Sequence, residues 1–445
     1  MKAPTTNKTT TNDPSTAAAL PDLTIEAVPS LRGLDPAAWN ACARAPVLPA
    51  ADAQPAGDEF YPAYQETADN PFVSHEFLSA LEESGSAVPR TGWAGVHLIA
   101  RDAAGTLVGA VPAYLKTHSR GEYVFDQGWA EAYEAAGGRY YPKLQVSVPF
   151  TPCTGPRLMV RPGHDAVAVR RRLAGALTAL ARQTGASSVH VTFPTGREWL
   201  ELGAAGWLLR TDRQFQWTNR AYASFEAFLE DLNARRRKAI RRERREALAP
   251  GIEIRRLTGA DLTEEVWDAF FACYMDTGSR KWGRPYLTRD FFSLVSARMA
   301  DTIVLAMARR GGRWIAGALN FRGSDTLYGR HWGAIEHHPF LHFELCYYQA
   351  IEAAIELGLA RVEAGAQGEH KLARGYLPVP TYSAHYIADP ALRRGIASYL
   401  ARERAYVADL GRTLLAETPF RKDAAGAEKG LAEGDKGLAE GEFEV

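Results

Sequence analysis

The 445-residue chain has only four cysteines, Cys42, Cys153, Cys273 and Cys346, and they lie far apart. That sparsity excludes a small disulfide-stapled fold and the paired spacing of a thiolate zinc site, and it points to a reducing, cytoplasmic setting. Neither charge is in surplus, since Lys plus Arg and Asp plus Glu both number 52. A neutral balance gives no long-range pull toward DNA or a membrane surface, so any basic site must be local. No apolar run approaches the ~20 residues of a membrane span. The opening stretch MKAPTTNKTTTNDPSTAAALPD has no signal-peptide core. A soluble protein without integral membrane association is expected.

What is present suffices for more than one core. The chain is 46% hydrophobic and 10% aromatic, and its length suits two modules of roughly 200 residues each. The expected division is a tail over 1–21, domains over 22–214 and 215–420, and a second tail over 421–445. The last segment repeats KGLAEGD and KGLAEGE, with one leucine per heptad beside two glycines, too little for a coiled coil.

Between the tails, strand-like VHLIARD, TLVGAVPAYL, GPRLMV and SSVHVTF alternate with helical stretches at 77–83 and 166–183. After Gln214 the cycle restarts. A helix is expected over 224–248, then the strand GIEIRRL, a helix over 264–274, and the strands TIVLAMA, WIAGALNF, DTLYGRHWG and ARVEAG. By element order, GPRLMV, helix 166–183 and SSVHVTF correspond to TLYGRHWG, helix 342–357 and ARVEAG. Each half is then an α/β module with a mixed, mostly antiparallel sheet flanked by helices.

The residues richest in chemistry follow ARVEAG, in EAGAQGEHKLARGY. Its glycines admit close backbone approach. Glu363, Glu369, His370, Lys371 and Arg374 gather at the carboxyl end of a strand, where α/β sheets commonly carry their sites. His337, His338 and His342 also cluster, but Pro339 interrupts them and no HExxH or cysteine pair accompanies them, so no metal is expected. Cys346, inside an apolar helix pattern, reads as a buried, inert thiol. The run RRRKAIRRERR puts Arg235, Lys238, Arg242 and Arg245 on one helix face. SRKWGRPYL combines Arg280, Lys281 and Arg284 with Trp282 and Tyr286, a mixture suited to an anionic or sugar-bearing acceptor.

NPFVSHEFLSALEESGS, GEYVFDQGWA, YYPKLQVSVPFTP, SRKWGRPYL, TLYGRHWG, LHFELCYYQAIEAAIE and EAGAQGEHKLARGYLP span residues 70–390. On these strings the sequence resembles the FemAB-like N-acyltransferases of peptidoglycan biosynthesis and recognition, a branch of the GNAT acetyltransferase superfamily. The resemblance implies two tandem GNAT (acyl-CoA N-acyltransferase)-like domains, with the site in the second. It implies a helix start that presents backbone amides to a pyrophosphate, here Leu341, His342, Phe343 and Glu344. It makes Lys371 the match to a lysine that helps handle acyl transfer, followed by Arg374 and Gly375, and turns Arg236, Lys238 and Arg242 toward structure or substrate phosphates. The superfamily's phosphate pattern is nearly matched by Arg172, Gly175 and Leu177 in the first half and is missing from the second.

Amide formation needs a proton acceptor and a stabilised oxyanion. His342, Glu344, Glu363 and His370 are candidate bases, Tyr328 and Tyr376 candidate acids, and Lys371 the candidate oxyanion partner. Arg280, Lys281, Trp282 and Arg284 are candidates for the acceptor. The expected reaction moves an acyl group from acyl-CoA to an amine of a small, anionic acceptor, with no tightly bound cofactor. Aminoacyl-tRNA is the alternative donor. A non-catalytic protein that binds a wall precursor or a partner, and a basic-helix RNA binder, are the rivals from other classes.

Overall fold

The structure, a computed structural model, describes residues 22–44 and 70–421 apart from 284, 366 and 367, with backbone only for Lys281, Trp282 and Glu369. The expected N-terminal tail, and all but the first residue of the C-terminal one, lie outside the described residues.

The strands of the first half are β1 (Thr24–Val28), β2 (Trp93–Gly95), β3 (His97–Arg101), β4 (Leu107–Val111), β5 (Ala113–Lys116), β6 (Lys143–Val146), β7 (Met159–Val160) and β8 (Ser188–Thr192). Then come β9 (Leu208–Thr218), β10 (Ile252–Leu257), β11 (Ile303–Arg310), β12 (Arg313–Arg322), β13 (Thr326–Ala334), β14 (Arg361–Glu363) and β15 (Leu377–Ile387). One large sheet runs through both halves in the order β10-β11-β12-β13-β14-β9-β15-β8-β6-β5-β2, beside a small sheet β1-β3-β4-β7. Its ladders are antiparallel except β13 with β14 and β6 with β8. Each parallel pair is bridged by a helical crossover, Ala166–Thr184 in the first half and the run from Leu341 to Glu356 in the second. This repeated layout is the tandem arrangement the sequence implied.

The correspondence of strands needs one correction. The parallel partner of β8 is β6, KLQV, whereas GPRLMV supplies only β7, which pairs with β4 in the small sheet. Lys143 and Gln145 make β6 read as polar, yet they lie on the face opposite Leu144 and Val146 and are buried. Residues 224–248 form two helices, Phe225–Asp231 and Ala234–Leu248, because Asn233 accepts the Arg236 amide at 3.0 Å and starts a new helix. Arg172 and Gly175 lie inside the Ala166–Thr184 helix, where backbone amides serve the helix itself rather than a phosphate.

Two features fuse the halves. β15 lies between β9 and β8, so a strand late in the chain completes the sheet of the first half. Phe72 packs edge-to-face on Phe321 at 5.3 Å and on Tyr328 at 5.2 Å, and Phe77 on Phe291 at 5.6 Å. Each such pair adds about 0.5–1.5 kcal/mol beyond area burial.

Candidate functional site

β13 and β14 are paired through Thr326 with Arg361, Leu327 with Val362 and Tyr328 with Glu363, and there β14 stops. β13 continues to Ala334 on β12, with a bulge: Gly329 faces Asn320 and His331 faces Leu319, leaving Arg330 as the extra residue. A bulge of this kind re-aims a side chain. Beyond Tyr328 and Glu363 the two strands are no longer paired, and the wedge between them begins there. Gly329 sits at its base, where an added Cβ would lie 3.3 Å from the Glu363 carbonyl oxygen.

Glu363 is buried, and its Oε2 has no hydrogen-bond partner among the described residues. Burial lifts its carboxyl to about 7, against the nearby Arg361 and Arg330 charges, and the Cys153 thiol is a hydrogen-bond partner. Arg330 donates to the Phe150 carbonyl at 3.1 Å and to Cys153 Sγ at 3.4 Å, so the first half supplies one wall. That loop is fastened to β9 by Gln214, which donates to the Pro152 carbonyl at 2.8 Å. Phe150 stacks on Tyr286 at 4.7 Å, and Tyr123 lies within electrostatic reach of Arg330. Lys371 is 2% exposed, donates to the Gly365 carbonyl at 2.9 Å, and is brought by burial to about 8, with Arg330 adding to the shift.

Two residues past Arg330 on β13, Trp332 borders a pocket of about 330 Å³ at the start of the following helix. Arg280, His337, His338, Leu341, His342 and Phe343 are among its other lining residues. Arg280 is held there by the Ala334 carbonyl at 2.8 Å and by Asp276. The helix starts from Phe340, whose φ of 63° is unusual for a residue with a side chain. It passes through a wider π turn, Glu344–Tyr348, before resuming at Gln349. His342 and His370 rings lie 6.3 Å apart, which ties the pocket to the loop of Lys371.

Residues 30–422 match the family described as FemAB-like, peptidoglycan biosynthesis/recognition. The chain belongs to the FemAB-like family. Membership indicates an acyl or aminoacyl transferase. No curated protein matches the chain. Among solved structures it is similar to a tandem GNAT protein from the clavulanic acid biosynthesis pathway, at 13% identity over 83% of this chain and 99% of that one, TM-score 0.41. It is similar to FemX at 12% identity over 72% and 93% of the two chains, TM-score 0.47. L-PGS from Bacillus licheniformis shares 10% identity over 78% and 98%, TM-score 0.44.

Several residues expected in the FemAB-like site are engaged by partners within the fold. Glu344, fully buried, accepts two bonds from Arg244 at 2.9 and 3.0 Å. Arg374 lies 3.5 Å over the Phe343 ring and donates to both Glu243 oxygens at 2.9 Å. Gly375 ends a turn at φ 87°, where a Cβ would meet Phe228 at 2.8 Å. Tyr328 is a core residue on Phe72, and Tyr376, fully buried, donates to the Tyr347 carbonyl at 3.3 Å with burial holding its proton well above the ordinary range. His370 is exposed and bonded to the Tyr347 hydroxyl at 2.9 Å; partial desolvation, with Arg374 and Lys371 beside it, lowers its pKa.

Arg236 is half-buried and Lys238 exposed, and neither lines the pocket. Arg284 lies outside the described residues, as do the side chains of Lys281, Trp282 and Glu369. Cys346 is half-buried rather than buried. Among the described residues, no group of three or more His, Cys, Asp or Glu is placed to hold a metal ion, and no helix is long and apolar enough to cross a membrane. Sequence reasoning offered the string YYPKLQVSVPFTPCTGPRL, which holds Phe150 and Cys153, as the lining of a cleft between the modules, without singling out those two residues, Tyr123 or Arg330. A signal for Arg330 was Gly329 inside a strand pattern, which marks a bulge or a close backbone approach.

Proposed function

We propose that the wedge transfers an acyl group from a thioester, acyl-CoA in the first instance, to the amine of a small anionic acceptor. The observation that carries this reading is Glu363, a buried carboxylate with an unpartnered oxygen where β14 parts from β13. A carboxyl lifted to about 7 is suited to take a proton near neutrality. The amine nitrogen attacks the thioester carbonyl carbon, a C–N bond forms, and the amine proton passes to Glu363. The tetrahedral oxyanion is stabilised by the Lys371 ammonium. The C–S bond then breaks, the thiolate takes up a proton, and Glu363 returns its own to solvent.

The pocket at the start of the Leu341 helix suits the donor. Arg280 joins Leu341, His342 and Phe343 there, which supports reading it with the donor's pyrophosphate rather than with the acceptor. Thiol release from acyl-CoA in the presence of an amine mixture is expected in the wild type and is expected to fall by about 100-fold or more in E363Q. Unchanged release in E363Q sinks the reading.

One observation favours aminoacyl-tRNA as the alternative donor. Arg235, Lys238, Arg242 and Arg245 are exposed on the Ala234–Leu248 helix, whose other side is tied to the Lys371 loop by Glu243 and Arg374. Stabilisation by charged tRNA and not by any acyl-CoA, falling steeply with salt, identifies that donor.

A further inference from the structure

Among the described residues Arg330 holds no carboxylate, in contrast to several buried or half-buried arginines of the chain. Arg170, Arg210, Arg244 and Arg374 each hold a carboxylate, Glu201, Glu403, Glu344 and Glu243 respectively. Arg330 has only a carbonyl, a thiol and the face of Phe72 at 5.8 Å, and its buried Nε has no partner among the described residues. The bulge takes this residue out of strand alternation and into the wedge. Glu363, within electrostatic reach, does not pair with it and keeps its own buried Oε2 unpartnered. A cation and an anion with open hydrogen-bonding capacity therefore share one site without meeting. Buried charged groups left so are costly unless something completes them.

A molecule bearing both charges completes both. We infer that the acceptor is an amino-acid-like zwitterion, its carboxylate docked on Arg330 and its ammonium on Glu363. This rests on the transfer reading of the wedge. The guanidinium fork suits a planar carboxylate, and the ammonium lies against Glu363, which takes its first proton and releases it to solvent before attack and so is free to take the second as the C–N bond forms. The wall beside Arg330 is aromatic, made by Tyr123, Phe150 and Tyr286. Tyr123 and Phe150 both hold φ near +60°, a conformation that costs energy in residues with side chains and concentrates at functional sites. Tyr286 is 39% exposed, so the stack reaches the surface. An apolar or aromatic side chain on the amino acid fits that wall.

Calorimetric titration without any donor tests the inference. The probes are the twenty amino acids, and for each that binds, the amine lacking the carboxylate and the N-acetyl derivative lacking the ammonium. At least one amino acid is expected to bind ten-fold or more tighter than both of its truncated forms. R330Q, with R330K as a second variant that keeps the charge but not the fork, is expected to erase the gap to the amine. E363Q is expected to erase the gap to the N-acetyl form. Circular dichroism and melting temperature establish that the variants fold. No binding by any amino acid, equal binding of amine and amino acid, or a preference that survives R330Q overturns it. Binding without acyl transfer in the thioester assay sinks the transfer reading instead, and faster transfer to amines without a carboxylate sinks the zwitterion alone.

Discussion

Tyr328 and Glu363 are the last residues paired across the parallel ladder of β13 and β14. Their fates differ. The tyrosine turns into the aromatic core on Phe72, while the glutamate keeps one oxygen unpartnered. A base needs that second condition, and its titration sets the pH profile. Glu363 is raised to about 7 and Lys371 lowered to about 8. Acyl transfer is expected to rise with pH as Glu363 deprotonates and to fall as the Lys371 ammonium is lost, a narrow bell. Thiol-release rates from about pH 5 to 10 check this, with E363Q losing the acid limb and K371M the alkaline one.

Stability is expected to depend on pH with opposite signs at two buried groups. The Glu363 pKa rises on folding from 4.5 to about 7, so its contribution is fully present below 4.5 and is lost as pH rises through 7. The stability difference between wild type and E363Q should therefore shrink by roughly 3 kcal/mol across that window. His190 goes the other way. Burial lowers it from 6.5 to about 3, its Nδ1 lying 2.8 Å from His385 Nδ1, so its contribution is present above 6.5 and lost as pH falls. Urea titrations across this range should show H190Q with a pH slope smaller by about one proton.

These residues also mark what could be read from the chain. Glu363 and Lys371 were legible because ionisable groups after a glycine-bearing strand are conspicuous in one dimension. Arg374 and Glu344 looked equally functional, and their partners Glu243 and Arg244 come from a helix 131 and 100 residues earlier in the chain. Arg330 was hidden because strand alternation gives no register for a bulge. The segment of Cys153 and Phe150 could be read as lining a cleft between the modules, but which of its residues face the second half could not, because that depends on contacts across the halves. The repeat was visible as element order, but β6 was not, since its polar residues Lys143 and Gln145 are buried by partners such as Glu122 and Thr192 that sequence cannot assign.

The Arg244 and Glu344 pair should be a stability determinant, not a catalytic one. Glu344 is fully buried, and Arg244 also holds Glu352 at 2.7 Å. R244M leaves a buried carboxylate without its main partner, for which about 3–5 kcal/mol is expected in urea denaturation. The double variant R244M/E344L should recover most of it, because the uncompensated charge is gone. Equal loss in both variants means that packing, not charge, holds this contact.

The two halves are expected to unfold together. Phe72 and Phe77 come from the first half and meet Phe321, Tyr328 and Phe291 of the second, and β15 is hydrogen-bonded between β9 and β8. Phe72→Ala and Phe321→Ala should each cost about 3–5 kcal/mol, with a coupling of about 0.5–1.5 kcal/mol in the double variant. Independent modules would respond differently, with Phe72→Ala lowering only a first transition and leaving a second in place. Tryptophan fluorescence and far-ultraviolet circular dichroism, followed through the same denaturant series, should shift to a common lower midpoint. Two separated midpoints in the Phe72→Ala variant would show that the continuous sheet does not carry cooperativity across the halves.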